Sequence, residues 1–280
     1  VGHDTARELT DHGRMIEAGS TYVALGSSFA AGPGIEPVLA DGPKRSGRNY
    51  AHQVADALNL RLVDVTSSGA TTADILSQQQ RTSAGRLPRQ IEAVSADTGL
   101  VTVTVGGNDI GYIGKLIKGS LVNVVLDGLR VLPTGLRRLA GYGAKPEQYD
   151  AAADALVAVV DAVRARAPMA RVVLVDYLTV LGDDARTGPD LPLRPADVRR
   201  VQATADGLAA AFARAAQRSG ADLVTASAAS AAHGVGSAEP WVTGFAWRPM
   251  FAGKLVPYHP TPAGMSAVAA LVVAALSKTD

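Results

Sequence analysis

The sequence predicts an α/β fold, a single three-layer α/β/α domain on a central parallel sheet of about five strands. Three observations carry this prediction. Short β-branched apolar runs recur along the chain, alanine-rich stretches of helical period lie between them, and 280 residues with 47% hydrophobic content can build one large packed core. Strands that alternate with helices form parallel sheets, because each connecting helix covers one face.

The runs are Thr21 to Leu25 (TYVAL), Leu60 to Val65, Leu100 to Val105 (LVTVTV) and Arg171 to Tyr177 (RVVLVDY), with Ala221 to Val224 as a fifth. Helical periodicity marks Tyr50 to Leu58, Pro146 to Ala167 and Ala196 to Arg218. Residues 110–143 interrupt the alternation with an apolar, glycine-punctuated stretch that includes Ile113, Leu116, Ile117 and Leu121. It reads as an inserted helical pair, either packed as core or serving as a lid or acyl-chain wall. Residues 1–19 are mostly polar and lack the apolar segment of a signal peptide, so they read as a flexible leader to a domain spanning 20–280. Both a secreted mature form and a cytoplasmic protein fit this chain. The run Ala267 to Leu276 falls short of the roughly 20 residues of a membrane span, so a buried C-terminal helix is expected and no integral membrane segment.

Charge and composition exclude several functions. The formal net charge is +1 with 19% charged residues, which leaves no cationic excess for a nucleic-acid backbone, so nucleic acid is not an expected partner. Cysteine is absent, which removes disulfides, thiolate metal sites and a cysteine nucleophile. No phosphate-binding loop follows any strand, and neither His52 nor the pair His233 and Glu239 has metal-ligand spacing. No cofactor and no metal are expected.

In open α/β sheets, ligands bind outside the carboxyl ends of the strands. Three turns stand there: Gly26-Ser27-Ser28, Ser67-Ser68-Gly69 and Gly106-Gly107-Asn108-Asp109. A serine hydroxyl becomes a nucleophile when a base takes its proton and N–H donors stabilise the oxyanion. Ser28 lies in a strand-to-helix turn among small residues, Gly69 has no Cβ to obstruct its N–H, and Asn108 offers a side-chain amide. His259 sits in the proline-stiffened segment Pro257-Tyr258-His259-Pro260-Thr261-Pro262 that enters the C-terminal helix. Asp109 reads as a helix cap or loop brace. Trp241, Phe245, Trp247 and Phe251 read as packing residues, with pocket lining as the alternative.

The segment from Tyr22 to Gly32 (YVALGSSFAAG) resembles the first block of SGNH/GDSL hydrolases of the actinobacterial lipase and esterase type. Arg45 to Tyr50, Val65 to Thr72, Gly106 to Asp109 and His259-Pro260 with Gly264 resemble the later blocks in order. The resemblance implies a flavodoxin-like SGNH hydrolase fold and a serine esterase or lipase acting on a small-molecule or lipid ester through an acyl-enzyme. Residue by residue it implies Ser28 as nucleophile, His259 as general base, and an oxyanion hole from the N–H groups of Ser28 and Gly69 with Asn108 Nδ2. Two positions depart from the pattern. Ser27 replaces the usual aspartate before the nucleophile, and Val256 stands where most members carry the acid of the triad. The expectation is therefore a Ser–His dyad in which the Val256 backbone carbonyl accepts the Nδ1–H bond; a carboxylate such as Asp176 or Asp183 at that nitrogen would contradict it. An acyltransferase to a sugar or other alcohol, and a non-catalytic binding module, are the competing readings. An α/β-hydrolase is disfavoured because a single strand precedes Ser28.

Overall fold

The computed structural model describes residues 16–40, 42–129, 142–245 and 256–277. Five strands form the central sheet: β1 (Thr21–Gly26), β4 (Arg61–Asp64), β7 (Thr98–Thr104), β8 (Arg171–Val175) and β9 (Asp222–Val224). Their spatial order is β4-β1-β7-β8-β9 and every pairing is parallel. This is the three-layer α/β/α architecture that the sequence predicts.

Burial explains the order. Every residue of β1 is buried, and β7 and β8 are almost wholly so, whereas β4 alternates exposed and half-buried positions as an edge strand does. Side chains such as Leu25, Leu100 and Leu174 are fully covered, each contributing roughly 1.5–3 kcal/mol relative to exposure. The chain runs from β1 outward to β4 and then crosses back to β7. The order of connection thus reverses between β1 and β7, where such sheets open a ligand crevice.

The helices are bounded by local chemistry. Asn49 accepts the His52 N–H and opens α2 (Tyr50–Leu58). Thr71 and Asp74 form a capping box on α3 (Thr72–Leu76), which follows the short α1 (Ser28–Ala31) and α2 in the chain. Pro146 opens α5 (Pro146–Arg166), and Pro195 opens α6 (Pro195–Ser219), which stops at Gly220 in the left-handed conformation. Helix α2 packs on the C-terminal helix α8 (Pro262–Ser277), and α5 packs on α6; α7 (Ala226–Ala229) is a single turn.

Two small hairpins fall outside the predicted elements: β2 (Val38–Ala40) with β3 (Arg45–Ser46), and β5 (Gln80–Thr82) with β6 (Gly85–Leu87). Each strand is only two or three residues long, too short to show an apolar alternation. Strand β8 ends at Val175, two residues short of the predicted run, and the Asp176 carboxylate just beyond it accepts the Ser227 N–H. Within 110–143 one helix is described, α4 (Tyr112–Leu129); residues 130–141 lie outside the described residues, as does most of the expected leader. Leu116 is fully buried and Ile113 nearly so, which fixes the first turns of α4 against the core. Among the described residues no helix is long and apolar enough to cross a membrane.

Candidate active site

Strand β1 delivers Ser28. The strand leaves the core at Gly26, whose amide is held on both sides by the buried Gln90: Gly26 N–H donates to Gln90 Oε1 at 2.7 Å, and Gln90 Nε2 donates to the Gly26 carbonyl at 3.0 Å. A Cβ at Gly26 would stand 2.6 Å from the Thr104 carbonyl, so this exit needs glycine. Ser27 N–H then donates to Thr104 O at 2.8 Å, and Ser28 becomes the first residue of α1, where a backbone N–H has no intrahelical acceptor.

The second and third turns close around it. Ser67 N–H donates to Gly26 O at 3.0 Å, tying the β4 exit to the β1 exit. Gly69 follows with φ +83°, a conformation that suits glycine, and its N–H has no acceptor among the described residues. Asn108 Nδ2 donates to the Ala70 carbonyl at 2.8 Å, which orients the amide and leaves its second N–H free for another acceptor. Asp109 accepts from Thr72 N–H at 3.1 Å, capping α3 as a brace between the two turns.

His259 reaches the same place from the other end of the chain. Its Nε2 lies 2.8 Å from Ser28 Oγ, and its Nδ1 lies 2.8 Å from the carbonyl of Pro257. A carbonyl can only accept, so Nδ1 carries the proton and Nε2 is left as the acceptor for the serine hydroxyl. Burial pushes the imidazole down to about 4; the Pro257 hydrogen bond counters this, and the Lys44 charge adds to it. The ring is therefore neutral at neutral pH, with a lone pair aimed at Ser28.

The carbonyl at Nδ1 belongs to Pro257, which corrects the expectation of Val256. The Val256 carbonyl already accepts the Thr243 hydroxyl at 2.8 Å. Tyr258, in a left-handed conformation with φ +60°, turns the chain so that the next carbonyl meets the ring. Thr243 also accepts the His259 N–H, and the Tyr258 phenol meets Ser120 Oγ on α4 at 2.6 Å. Among the described residues no carboxylate takes the Nδ1 position: Asp176 is bonded to Ser227, and Asp183 lines a separate cavity.

Sequence reasoning missed Gln90, Tyr177 and Thr243, which belong to no local motif, and the pairing of Tyr258, in the His259 segment, with the distant Ser120. Ser27, which the register of the first block makes a structural residue and not the nucleophile, has its partner in the interior. The Ser27 hydroxyl lies 3.1 Å from Tyr177 Oη, which accepts the Gly107 N–H at 3.0 Å. Phe29 packs between Tyr177 and His259, with ring centroids 4.7 Å and 5.5 Å away. His233 stacks on Trp241 at 4.0 Å and bonds the Glu239 carbonyl, Phe245 is buried near Tyr258, and Trp247 and Phe251 lie outside the described residues. Among the described residues no group of acidic or histidine side chains could hold a metal ion.

Ser28 and His259 open on a cavity of about 450 Å³, with Gly69 and Asn108 in its wall. Ile113, Gly114 and Ile117 of α4 line another part. A hydroxyl bonded to a neutral imidazole, beside the Ser28 and Gly69 N–H groups, which have no acceptor among the described residues, is equipped to attack a carbonyl carbon and hold the resulting oxyanion.

Comparison with known proteins places the chain in a family. The model of the GDSL-like lipase/acylhydrolase family matches residues 24–267. Lipase 2 of Streptomyces coelicolor is 36% identical over 267 residues, covering 92% of this chain and 86% of that protein. In structure the chain is similar to phospholipase A1 of Streptomyces albidoflavus (TM-score 0.70, 23% identity, 94% of this chain and 100% of that one). It is also similar to the extracellular lipase of Streptomyces rimosus (TM-score 0.66, 24% identity, 93% and 100%). With the family match running from β1 into α8, the chain belongs to the GDSL-like lipase/acylhydrolase family and is a carboxylic ester hydrolase of the GDSL type.

Proposed function

We propose that the chain hydrolyses carboxylic esters through an acyl-enzyme on Ser28, with His259 as general base and no acid in the dyad. The observation that carries this reading is the 2.8 Å contact between Ser28 Oγ and His259 Nε2, with Nδ1 held on the Pro257 carbonyl. As Ser28 Oγ bonds to the ester carbonyl carbon, its proton passes to Nε2. The imidazolium that forms keeps its Nδ1–H on Pro257. A carbonyl dipole gives this cation less help than a carboxylate, but the proton position and ring orientation are still set.

The oxyanion is received by the N–H groups of Ser28 and Gly69 and by Asn108 Nδ2. Each such donor is worth about 2.7–4 kcal/mol in the transition state. Collapse breaks the bond to the alcohol oxygen, which leaves with the proton from Nε2. Water then gives a proton to Nε2 and attacks the acyl carbon, and the second collapse returns the proton to Ser28 Oγ as the acid departs. Ser27 takes no part, because its hydroxyl is turned to Tyr177. The apolar residues Ile113 and Ile117 suit the acyl chain, which makes the start of α4 a fixed wall.

The test is turnover of p-nitrophenyl esters of graded acyl length by the wild type, Ser28→Ala and Ser27→Ala, with fluorophosphonate labelling read by mass spectrometry. Ser28→Ala should lower kcat by at least about 10³-fold and abolish the label, while Ser27→Ala keeps the label and loses only the small part of kcat that its hydrogen bond to Tyr177 supports. A label on Ser27, or an unlabelled and inert wild type, would overturn the reading.

A further inference from the structure

The cavity in front of Ser28 has two chemically different walls. One is apolar and comes from Ile113 and Ile117 of α4 with Val256. The other carries Lys44, from the loop before β3, and Arg81, Thr82 and Ser83 from the β5–β6 hairpin. Among the described residues no carboxylate lines the cavity, and neither Lys44 nor Arg81 makes an ion pair with a described residue. Arg45, Arg171 and Arg218, by contrast, each face an aspartate.

Lys44 has two further peculiarities. Its φ of +53° is a left-handed conformation that glycine adopts without steric cost, yet the chain places a lysine there. Its charge also reaches His259, where it opposes protonation of the imidazole. A cation so placed works against the base unless something negative sits between them. A substrate can bring that charge.

Resting on the reading of Ser28 and His259 given above, we propose that Lys44 and Arg81 select esters whose alcohol part carries an anionic group, a phosphate in particular. The acyl chain takes the apolar wall, so the charged wall is left for the alcohol. A phosphate there accepts charge-assisted hydrogen bonds from both side chains and a further one from the Ser83 hydroxyl, while the Thr82 hydroxyl stays on the Gly85 carbonyl and holds the hairpin. It also masks Lys44 from the imidazolium that forms during attack, so the selection acts on the transition state as well as on binding.

The test compares kcat/KM for monomeric dibutyryl glycerol 3-phosphate with that for neutral dibutyrylglycerol. A second pair, p-nitrophenyl hemiglutarate and p-nitrophenyl butyrate, places the anion on the acyl side. The wild type should prefer the phosphate ester by about ten-fold or more at low ionic strength. That ratio should collapse toward one in Lys44→Met/Arg81→Met, survive in Lys44→Arg, and shrink in high salt. Equal wild-type rates on the first pair, a preference confined to the hemiglutarate, or a ratio unmoved in the double variant would each overturn the proposal. Loss of turnover on all four esters would instead overturn the reading of Ser28, and this proposal with it.

Discussion

Tyr177 Oη accepts the Gly107 N–H at 3.0 Å and meets Ser27 Oγ at 3.1 Å, so one phenol joins the turns after β1 and β7. Those turns carry Ser28 and Asn108. The phenol is buried and held neutral, its pKa pushed up to about 12 by desolvation, and its ring packs on Phe29. Tyr177→Phe would keep the ring and remove the bridge, leaving the Gly107 N–H without its acceptor. The expected cost is about 1–3 kcal/mol in urea unfolding, with kcat falling more than KM rises. Unchanged stability and kcat would show that the bridge positions nothing.

Gln90 fills the corresponding role on the strand side of Ser28. Its amide satisfies both the N–H and the carbonyl of Gly26, and the carbonyl has a second donor in Ser67. Gln90→Leu would therefore orphan the N–H while leaving the carbonyl paired. A loss of about 1–3 kcal/mol is expected, read as a lower urea midpoint at constant m-value. Gly26→Ala should cost more, because the added Cβ meets backbone at 2.6 Å, and backbone cannot swing aside.

The His259 loop is tied to α4 through Tyr258 and Ser120. Their oxygens lie 2.6 Å apart in the interior, where a single deletion leaves the other hydroxyl short of a partner. A double-mutant cycle of Tyr258→Phe and Ser120→Ala should give a coupling of about 0.5–2 kcal/mol in thermal or urea unfolding. Additive losses would mean that the two hydroxyls act independently.

The contrast among these residues shows what a sequence carries. The central strands β1, β7 and β8 were legible because buried parallel strands are continuous β-branched runs, and Tyr50–Leu58 was legible as a helix from its period alone. Ser28, Gly69, Asn108 and His259 were legible because three stand at strand ends and the fourth in a proline-bound turn. The acceptor of His259 Nδ1 was placed one residue early. Which carbonyl faces a ring depends on the left-handed turn at Tyr258 and on the Thr243 hydroxyl bonded to Val256, and neither has a one-dimensional signature. Gln90 and Tyr177 escaped for the same reason, since each acts across 64 to 70 residues of chain on a backbone group.

The buried imidazole also sets how the protein responds to acid, and Asp176 opposes it. His259 is held down to about 4 by burial, against an unfolded value near 6.5. Its neutral form is intact above pH 6.5, and stability is lost as pH falls toward 4, because the unfolded chain takes a proton that the folded one refuses. The full loss is about 3 kcal/mol. Asp176 is raised to about 6 by desolvation, with its Ser227 hydrogen bonds pulling the other way. The folded state takes that proton first, so the Asp176 contribution is present below about pH 4 and is lost as pH rises through about 6. Between pH 4 and 6.5 the two therefore cancel in part, and the wild-type urea midpoint should change little. His259→Gln removes the opposing half, so its stability relative to wild type should rise steadily on acidification. Asp176→Asn should do the reverse, making acid destabilisation steeper than in wild type. Activity follows His259 alone: kcat/KM should hold down to about pH 5 and fall with an acid limb near 4, where an exposed histidine would give one near 6.5. An acid limb near 6.5, together with a His259→Gln variant that tracks the wild type at every pH, would show that the imidazole is not held neutral by burial.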